Sequence, residues 1–244
     1  MKKMILFIIE KLKLNILIND FREIFSDPKM IYHEMDYNKY WEEREKVNTF
    51  QYRWPLMISE IENNSSVLDI GCGDGGFLAL LKEKKDNIKE TGIDISTTGI
   101  ERAVTKNLNA FVRTLNWYDD KKNVFDYVII SEVIEHVKNS EYFVLRGFAL
   151  AKRKLIITIP NTGYYSYRLR LLLGSFPIQW VQHPGEHLRF WTLSDFKSWI
   201  NGLNLKDLKG DIKIIPSNGI PYFNLYKILP SLFCKQIIFI IEKK

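Results

Sequence analysis

Cysteine is nearly absent from this chain of 244 residues: Cys72 and Cys234 lie far apart, in neither a CxxC nor a Cys/His spacing. That scarcity excludes a disulfide framework and a clustered structural zinc site, and it fits a reducing, cytoplasmic setting. Histidine is scarce as well, with His33, His136, His183 and His187 making up the whole set. No apolar run approaches the ~20 residues of a membrane-spanning helix. The first, within MKKMILFIIEKLKLNILI, is interrupted by Glu10, Lys11 and Lys13 and has no small-residue cleavage site after it, so it does not read as a signal peptide. Its apolar positions Ile5, Ile8, Ile9, Leu12 and Ile16 recur at helical spacing and predict an amphipathic helix, docked on its own domain or peripherally on a membrane surface. An Arg-rich stripe and basic-aromatic interleaving are also missing, so the net charge of +6 does not indicate a nucleic acid partner.

What is present suits a globular domain. Hydrophobic residues make up 46% and charged residues 26%, enough to bury a full core. From Ser66 onward, short β-branched runs alternate with helical stretches, the pattern of a parallel sheet with crossover helices. Strands are expected at Val67 to Ile70, Lys89 to Asp94, Ala110 to Arg113, Phe125 to Ser131, Lys154 to Ile159, Leu205 to Leu208 and Gln236 to Glu242. Helices are expected at Gly75 to Lys84, Thr97 to Lys106, Ser140 to Ala151 and Ser194 to Ile200, the last with Ser194 as its N-cap. The expected fold class is therefore α/β, Rossmann-like, with helices on both faces of the sheet. Residues 1–56 form an N-terminal helical extension or lid, 57–244 the main domain, and 161–190 an insertion on its acceptor side.

Three segments carry chemistry. VLDIGCGDGGFLALL is a strand, a glycine-rich turn and a helix start, where Gly71 and Gly73 let the backbone turn tightly against a nucleoside-bearing ligand. Gly71, Gly73 and Gly76 also satisfy GxGxxG, so this spacing alone admits a nicotinamide cofactor. Asp94 closes the next strand about 20 residues on, where a carboxylate accepts from both ribose hydroxyls, although it can instead serve the following helix N-terminus. FDYVIISEVIEHV then delivers Glu132, Glu135 and His136 to the carboxyl edge of the sheet, the ligand-binding edge of open α/β folds.

In order and spacing, VLDIGCGDGG, GIDIS, FDYVIISEVIEHV and LIITIPN resemble the successive motifs of class I S-adenosylmethionine (SAM)-dependent methyltransferases, over about Trp54 to Lys244. The QIIFIIEKK segment resembles the antiparallel last strand of that seven-stranded fold. IPNTGYYSYRLRLLLGSFP, HLRFWTLSDF and KIIPSN are similar to the MetW-like branch, associated with methionine biosynthesis. SEVIEHV looks more like ubiquinone-type O-methyltransferases and enzymes of surface-glycan clusters, and DYNKYWEERE resembles leaders that close over the cofactor. The resemblance implies SAM as cofactor, with Asp69, Gly71 and Gly73 around its methionine moiety and ribose. It further implies Asp94 on the ribose hydroxyls, Ile95, Asn116 and Trp117 about the adenine, and Ser131 at the sulfonium end. An acidic residue frequent at the Asn116 position is missing.

Methyl transfer from a sulfonium is an in-line displacement that needs alignment and, in principle, no metal. A hydroxyl acceptor gains from a general base, by about 10²–10⁴ in rate. His187, His136 and Glu132 are the candidates, with Glu186 as an alternative. Tyr164, Tyr165, Arg168, His183 and Arg189 are expected to contact an anionic or glycan-linked acceptor, because Arg pairs with phosphate and Tyr stacks on sugars. The functional expectation is O-methylation in surface polysaccharide modification by a monomer or homodimer. A MetW-like partner protein and a quinone-type O-methyltransferase are the alternatives.

Overall fold

The computed structural model describes residues 17–26, 35–44, 51–179, 185–219 and 224–244. Seven strands form one sheet: β1 (Ser66–Ile70), β2 (Lys89–Asp94), β3 (Ala110–Val112), β4 (Phe125–Ser131), β5 (Ala151–Pro160), β6 (Lys213–Gly219) and β7 (Cys234–Glu242). Their order is β3-β2-β1-β4-β5-β7-β6. β1 to β5 are parallel, and β7 runs antiparallel to both of its neighbours. The order reverses between β1 and β4, and the crevice at such a reversal is where open α/β sheets take ligands.

The described helices are α1 (residues 17–25), α2 (Tyr37–Glu43), α3 (Arg53–Ser59), α4 (Gly76–Lys84), α5 (Thr97–Thr105), α6 (Ser140–Leu150), α7 (Tyr165–Leu172), α8 (Leu193–Gly202), α9 (Leu225–Ile228) and α10 (Pro230–Phe233). The central strands are apolar on both faces because helices cover both. One core contains Leu68, Ile70, Val128, Ile130, Leu155, Ile157 and Phe239 against Val144 and Phe148 of α6 and Phe196 and Ile200 of α8. The alternate residues Val67, Tyr127, Ile129, Ile156 and Ile238 face Met57 and Ile58 of α3, Leu78 and Leu81 of α4, and Ile100 of α5. Each buried side chain of this size contributes about 1.5–3 kcal/mol relative to exposure.

Two expectations need correction. The strand expected at Leu205 to Leu208 does not form; Leu208 makes only an isolated bridge to Lys243. The sixth strand is Lys213–Gly219, paired only with β7 at the sheet edge, where Pro216 costs no ladder bond on the open side. Likewise α8 is capped by Thr192, whose hydroxyl accepts from the Asp195 N–H at 3.2 Å, so Ser194 lies inside the helix. The remaining expected elements hold to within a few residues, apart from the N-terminal pattern Ile5 to Ile16, which lies outside the described residues.

The α1 helix docks on the domain through a buried polar joint. Asp20 accepts from the Tyr164 hydroxyl at 2.5 Å, the Tyr165 hydroxyl at 3.0 Å and the Lys235 ammonium at 3.0 Å. Arg170 then donates to the carbonyls of Glu23, Ile24 and Ser26, the unpaired acceptors at the C-terminal end of α1. Among the described residues no helix is long and apolar enough to cross a membrane.

Candidate active site

A cavity of about 510 Å³ opens at the carboxyl ends of β1, β2 and β4, within the range of small-molecule sites. One wall is the glycine turn. Gly71, Gly73 and Gly75 have φ of 75°, 53° and 74°, the left-handed region that glycine enters without steric cost. The Gly73 N–H donates to Asp94 Oδ2 at 2.8 Å, and Ser96 N–H donates to Asp94 Oδ1 at 2.8 Å. Asp94 thus fixes the turn and also faces the cavity with acceptor lone pairs to spare. Burial raises its pKa, opposed by the backbone N–H groups of Ser96 and Gly73.

Asp69, Gly71, Gly73, Asp94, Ile95 and Ser131 all line this cavity, as the sequence motifs imply. Asn116 and Trp117 do not: the Asn116 side chain accepts from Thr114, and Trp117 points outward with Arg113 stacked 3.7 Å from its ring centroid. Arg113, Thr114 and Leu115 stand at the cavity in their place. The four-residue 3₁₀ turn Leu115–Tyr118 buries Leu115 and Tyr118 and so turns Asn116 and Trp117 away.

Asp69 is buried, and burial followed by the Asp94 charge raises its pKa to about 7, with Arg53 opposing. Its folded value exceeds the unfolded one, so the folded chain holds the extra proton and loses stability as pH rises from about 4 to 7. Asp69→Asn is expected to stabilise the unliganded protein by roughly 2–4 kcal/mol at pH 8 and by almost nothing at pH 4. Denaturant unfolding at both pH values checks this, and a pH-independent difference counts against it.

The opposite wall gathers the titratable groups. Glu132 follows β4 in a left-handed conformation, φ 55°, and accepts from Thr158 at 2.9 Å and Gln236 at 3.1 Å. Glu135 is fully buried with neither carboxylate oxygen hydrogen-bonded, and burial, then the nearby Glu132 charge, pushes its pKa well up. His136 donates through Nδ1 to the Glu186 carbonyl at 2.5 Å, and its Nε2 is 3.7 Å from Glu135. The His187 ring meets His136 edge-on, centroids 4.7 Å apart, and burial followed by the His136 charge pushes its pKa down to about 3. Burial also lowers the His136 pKa, opposed by its hydrogen bond to the Glu186 carbonyl.

The acceptor-side residues expected from the 161–190 connection are largely elsewhere. Tyr164 and Tyr165 bind Asp20, Arg168 donates to the Gly163 and Ser231 carbonyls, and Arg189 pairs with Glu141 at 2.6 and 3.0 Å. None of the four lines the cavity: the tyrosines hold α1, Arg168 the carbonyls of Gly163 and of Ser231 in α10, and Arg189 the α6–α8 edge. His183 lies outside the described residues. Among the residues that complete the cavity, Tyr37, Tyr40 and Trp41 come from α2 and Arg44 caps its C-terminal end. Asn38 pins that helix by accepting from Ser96 Oγ at 3.0 Å and Thr97 N–H at 2.8 Å, and Trp41 lies directly over Gly73. Aromatics spaced three and four apart in DYNKYWEERE were the available signal.

Against known families, residues 53–241 match the model of the methionine biosynthesis protein MetW, which is most of the chain. The chain belongs to the MetW family. It carries the Rossmann-like architecture of class I SAM-dependent methyltransferases. The chain is 27% identical over 169 residues to the bifunctional methionine biosynthesis protein MetXA/MetW of Rhodopirellula baltica, covering 61% of itself and 26% of that protein. It is 29% identical over 163 residues to a ubiquinone biosynthesis O-methyltransferase of Rickettsia bellii, covering 63% and 65% respectively. This MetW-family chain thus spans about a quarter of the first relative and under two thirds of the second. A SAM-dependent methyltransferase of Archaeoglobus fulgidus shares the fold at a TM-score of 0.59, with 22% identity over 79% of this chain and 91% of that one.

Proposed function

We propose that the protein transfers the methyl group of SAM to a hydroxyl or phosphate-type oxygen of a small or glycan-linked acceptor, with surface polysaccharide precursors as the leading substrate class. The observation that carries methyl transfer is that one cavity holds both the donor-side turn, with Asp69 and Asp94, and the cluster Glu132, Glu135, His136 and His187. An acceptor oxygen between them sits in line with a sulfonium methyl at the Ser131 end, and alignment supplies most of what this displacement needs. The acceptor oxygen forms its bond to the methyl carbon as the carbon–sulfur pair returns to sulfur, and the cluster receives the hydroxyl proton. Residues 1–56 act as a lid, supported by α2 lying over the glycine turn.

The MetW match favours a second reading, in which the chain binds SAM and serves a partner in methionine synthesis. The ubiquinone-type relative favours a hydrophobic quinone acceptor. Calorimetric titration with S-adenosylhomocysteine is expected to give micromolar binding that falls by about 100-fold in Asp94→Ala, a loss of about 2.7 kcal/mol. Absence of binding to the folded wild type overturns the cofactor assignment. Binding without transfer of labelled methyl to any hydroxylated extract, together with a co-purifying acyltransferase, supports the partner reading.

A further inference from the structure

Glu135 is the one carboxylate among the described residues with both oxygens buried and without a hydrogen-bond partner. An ionised carboxylate out of water is stable only when paired, hydrogen-bonded or bound to a cation. The Arg53 guanidinium is near enough to oppose the rise in its pKa but donates to Ser131 and Gln51 instead, and the ligand-type neighbours of the Glu135 carboxylate are two imidazoles. His136 Nε2 faces it at 3.7 Å, and His187 Nδ1 is likewise buried and without a partner. One donor atom from each of the three residues lies within 4.8 Å of the other two.

We propose that Glu135, His136 and His187 form a divalent-cation site at the acceptor end of the cavity. Two nitrogens and one carboxylate oxygen suit manganese, iron, cobalt or zinc better than calcium or magnesium, which prefer all-oxygen shells. The surroundings have the form of a ligand support. The Glu186 carbonyl engages His136 Nδ1 and so leaves Nε2 turned to Glu135, the usual way a second shell fixes a ligating ring. The Leu188 and Arg189 N–H groups donate to the Glu135 carbonyl at 2.7 and 3.2 Å, joining the segment that carries His187 to the one that carries the other two ligands. Glu132 faces Glu135, but its oxygens are held by Thr158 and Gln236, so it adds negative potential without belonging to the ligand set.

Three protein ligands leave coordination positions open, and all three residues line the cavity. A cation there would bind the acceptor hydroxyl oxygen and lower its pKa, so the proton leaves to solvent and the oxygen attacks the methyl carbon as an alkoxide. The carbon–sulfur bond breaks with its electron pair on sulfur, releasing S-adenosylhomocysteine. This replaces the metal-free transfer expected from the sequence. Cation binding stands independently of the methyl-transfer reading, whereas its catalytic use rests on that reading.

The test is a titration of Co²⁺ into the chelator-treated full-length protein, followed by the visible ligand-field absorption of the bound ion and by competition with Mn²⁺ and Zn²⁺. S-adenosylhomocysteine binding is measured on the same preparations. One bound Co²⁺ per chain is expected, with affinity reduced by about 100-fold or more in Glu135→Gln and in His187→Ala, since loss of even a supporting residue costs 10–100-fold. Both variants are expected to retain S-adenosylhomocysteine binding, which serves as the control for folding. A wild type that binds S-adenosylhomocysteine but shows no Co²⁺ spectrum, or variants whose Co²⁺ affinity is unchanged, overturns the site. Co²⁺ binding in a protein that fails to bind S-adenosylhomocysteine leaves the site standing and overturns the methyl-transfer reading instead.

Discussion

Gly73→Val is expected to weaken S-adenosylhomocysteine binding by at least about 100-fold, or about 2.7 kcal/mol, while the protein still unfolds cooperatively. Two independent costs meet at this position. The backbone sits at φ 53°, which a β-branched residue adopts only under strain. The added Cβ would also fall 2.2 Å from Cζ2 of Trp41, so the ring must leave and α2 must lift with it. Moving the turn displaces the N–H that anchors Asp94, the carboxylate proposed to hold the ribose. Combining Gly73→Ala with Trp41→Ala separates the two costs. Recovery of affinity relative to Gly73→Ala alone identifies the indole as the obstacle, whereas equal affinities place the loss in the backbone. Calorimetry reads both, and undiminished binding by Gly73→Val would remove the turn from the cofactor site.

Asp20→Ala is expected to release α1 from the domain, at a cost of about 3–5 kcal/mol or the full docking free energy of the helix, whichever is smaller. Asp20 has no exposure and receives two tyrosine hydroxyls and an ammonium, so its removal strands the buried Tyr164 hydroxyl and the partly buried Tyr165 hydroxyl and leaves Lys235 to Glu23 alone. Proteolysis within residues 17–26 is expected to speed up by about 100-fold, because cleavage follows the population of the opened segment. None of the described α1 residues lines the cavity, so S-adenosylhomocysteine affinity should stay within about twofold. Unchanged cleavage and unchanged thermal stability would mean that the joint contributes nothing.

How far the fold was legible follows from how each strand is used. β1 and β4 are covered on both faces, so their sequences are short, mostly apolar runs bounded by turn residues, and they stand out without any partner being known. β6 is an edge strand with mixed burial and a central proline, so nothing in KIIPSNG marks it locally; only its pairing with β7 defines it. The donor half of the site was legible for a related reason. Asp69, Gly71, Gly73 and Asp94 lie at or next to strand ends, and the turn itself brings them to the cavity.

The acceptor half depends on tertiary placement, where residue chemistry is ambiguous. Tyr164, Tyr165 and Arg168 have the right groups for an anionic sugar, yet the same groups are what a buried carboxylate and orphan carbonyls require, and that is where they are used. Glu135 lay in plain view between Glu132 and His136. Its significance comes from having no partner at all, which only packing against the segment carrying His187 makes apparent.

The position of β7 also bears on how the molecule is made. This strand lies between β5 and β6, so β6 leaves the ribosome before the neighbour that gives it a place exists. The parallel strands β1 to β5 can assemble co-translationally, but β5 keeps an open edge, and the face later covered by α8 and Phe239 stays incomplete until residues 234–242 emerge. As it emerges, a run as apolar as QIIFIIE meets the still unpaired edge of β5, and until the two pair, chains from neighbouring ribosomes can pair with each other. Lys235, Lys243 and Lys244 flank the run and act as charged gatekeepers against that pairing.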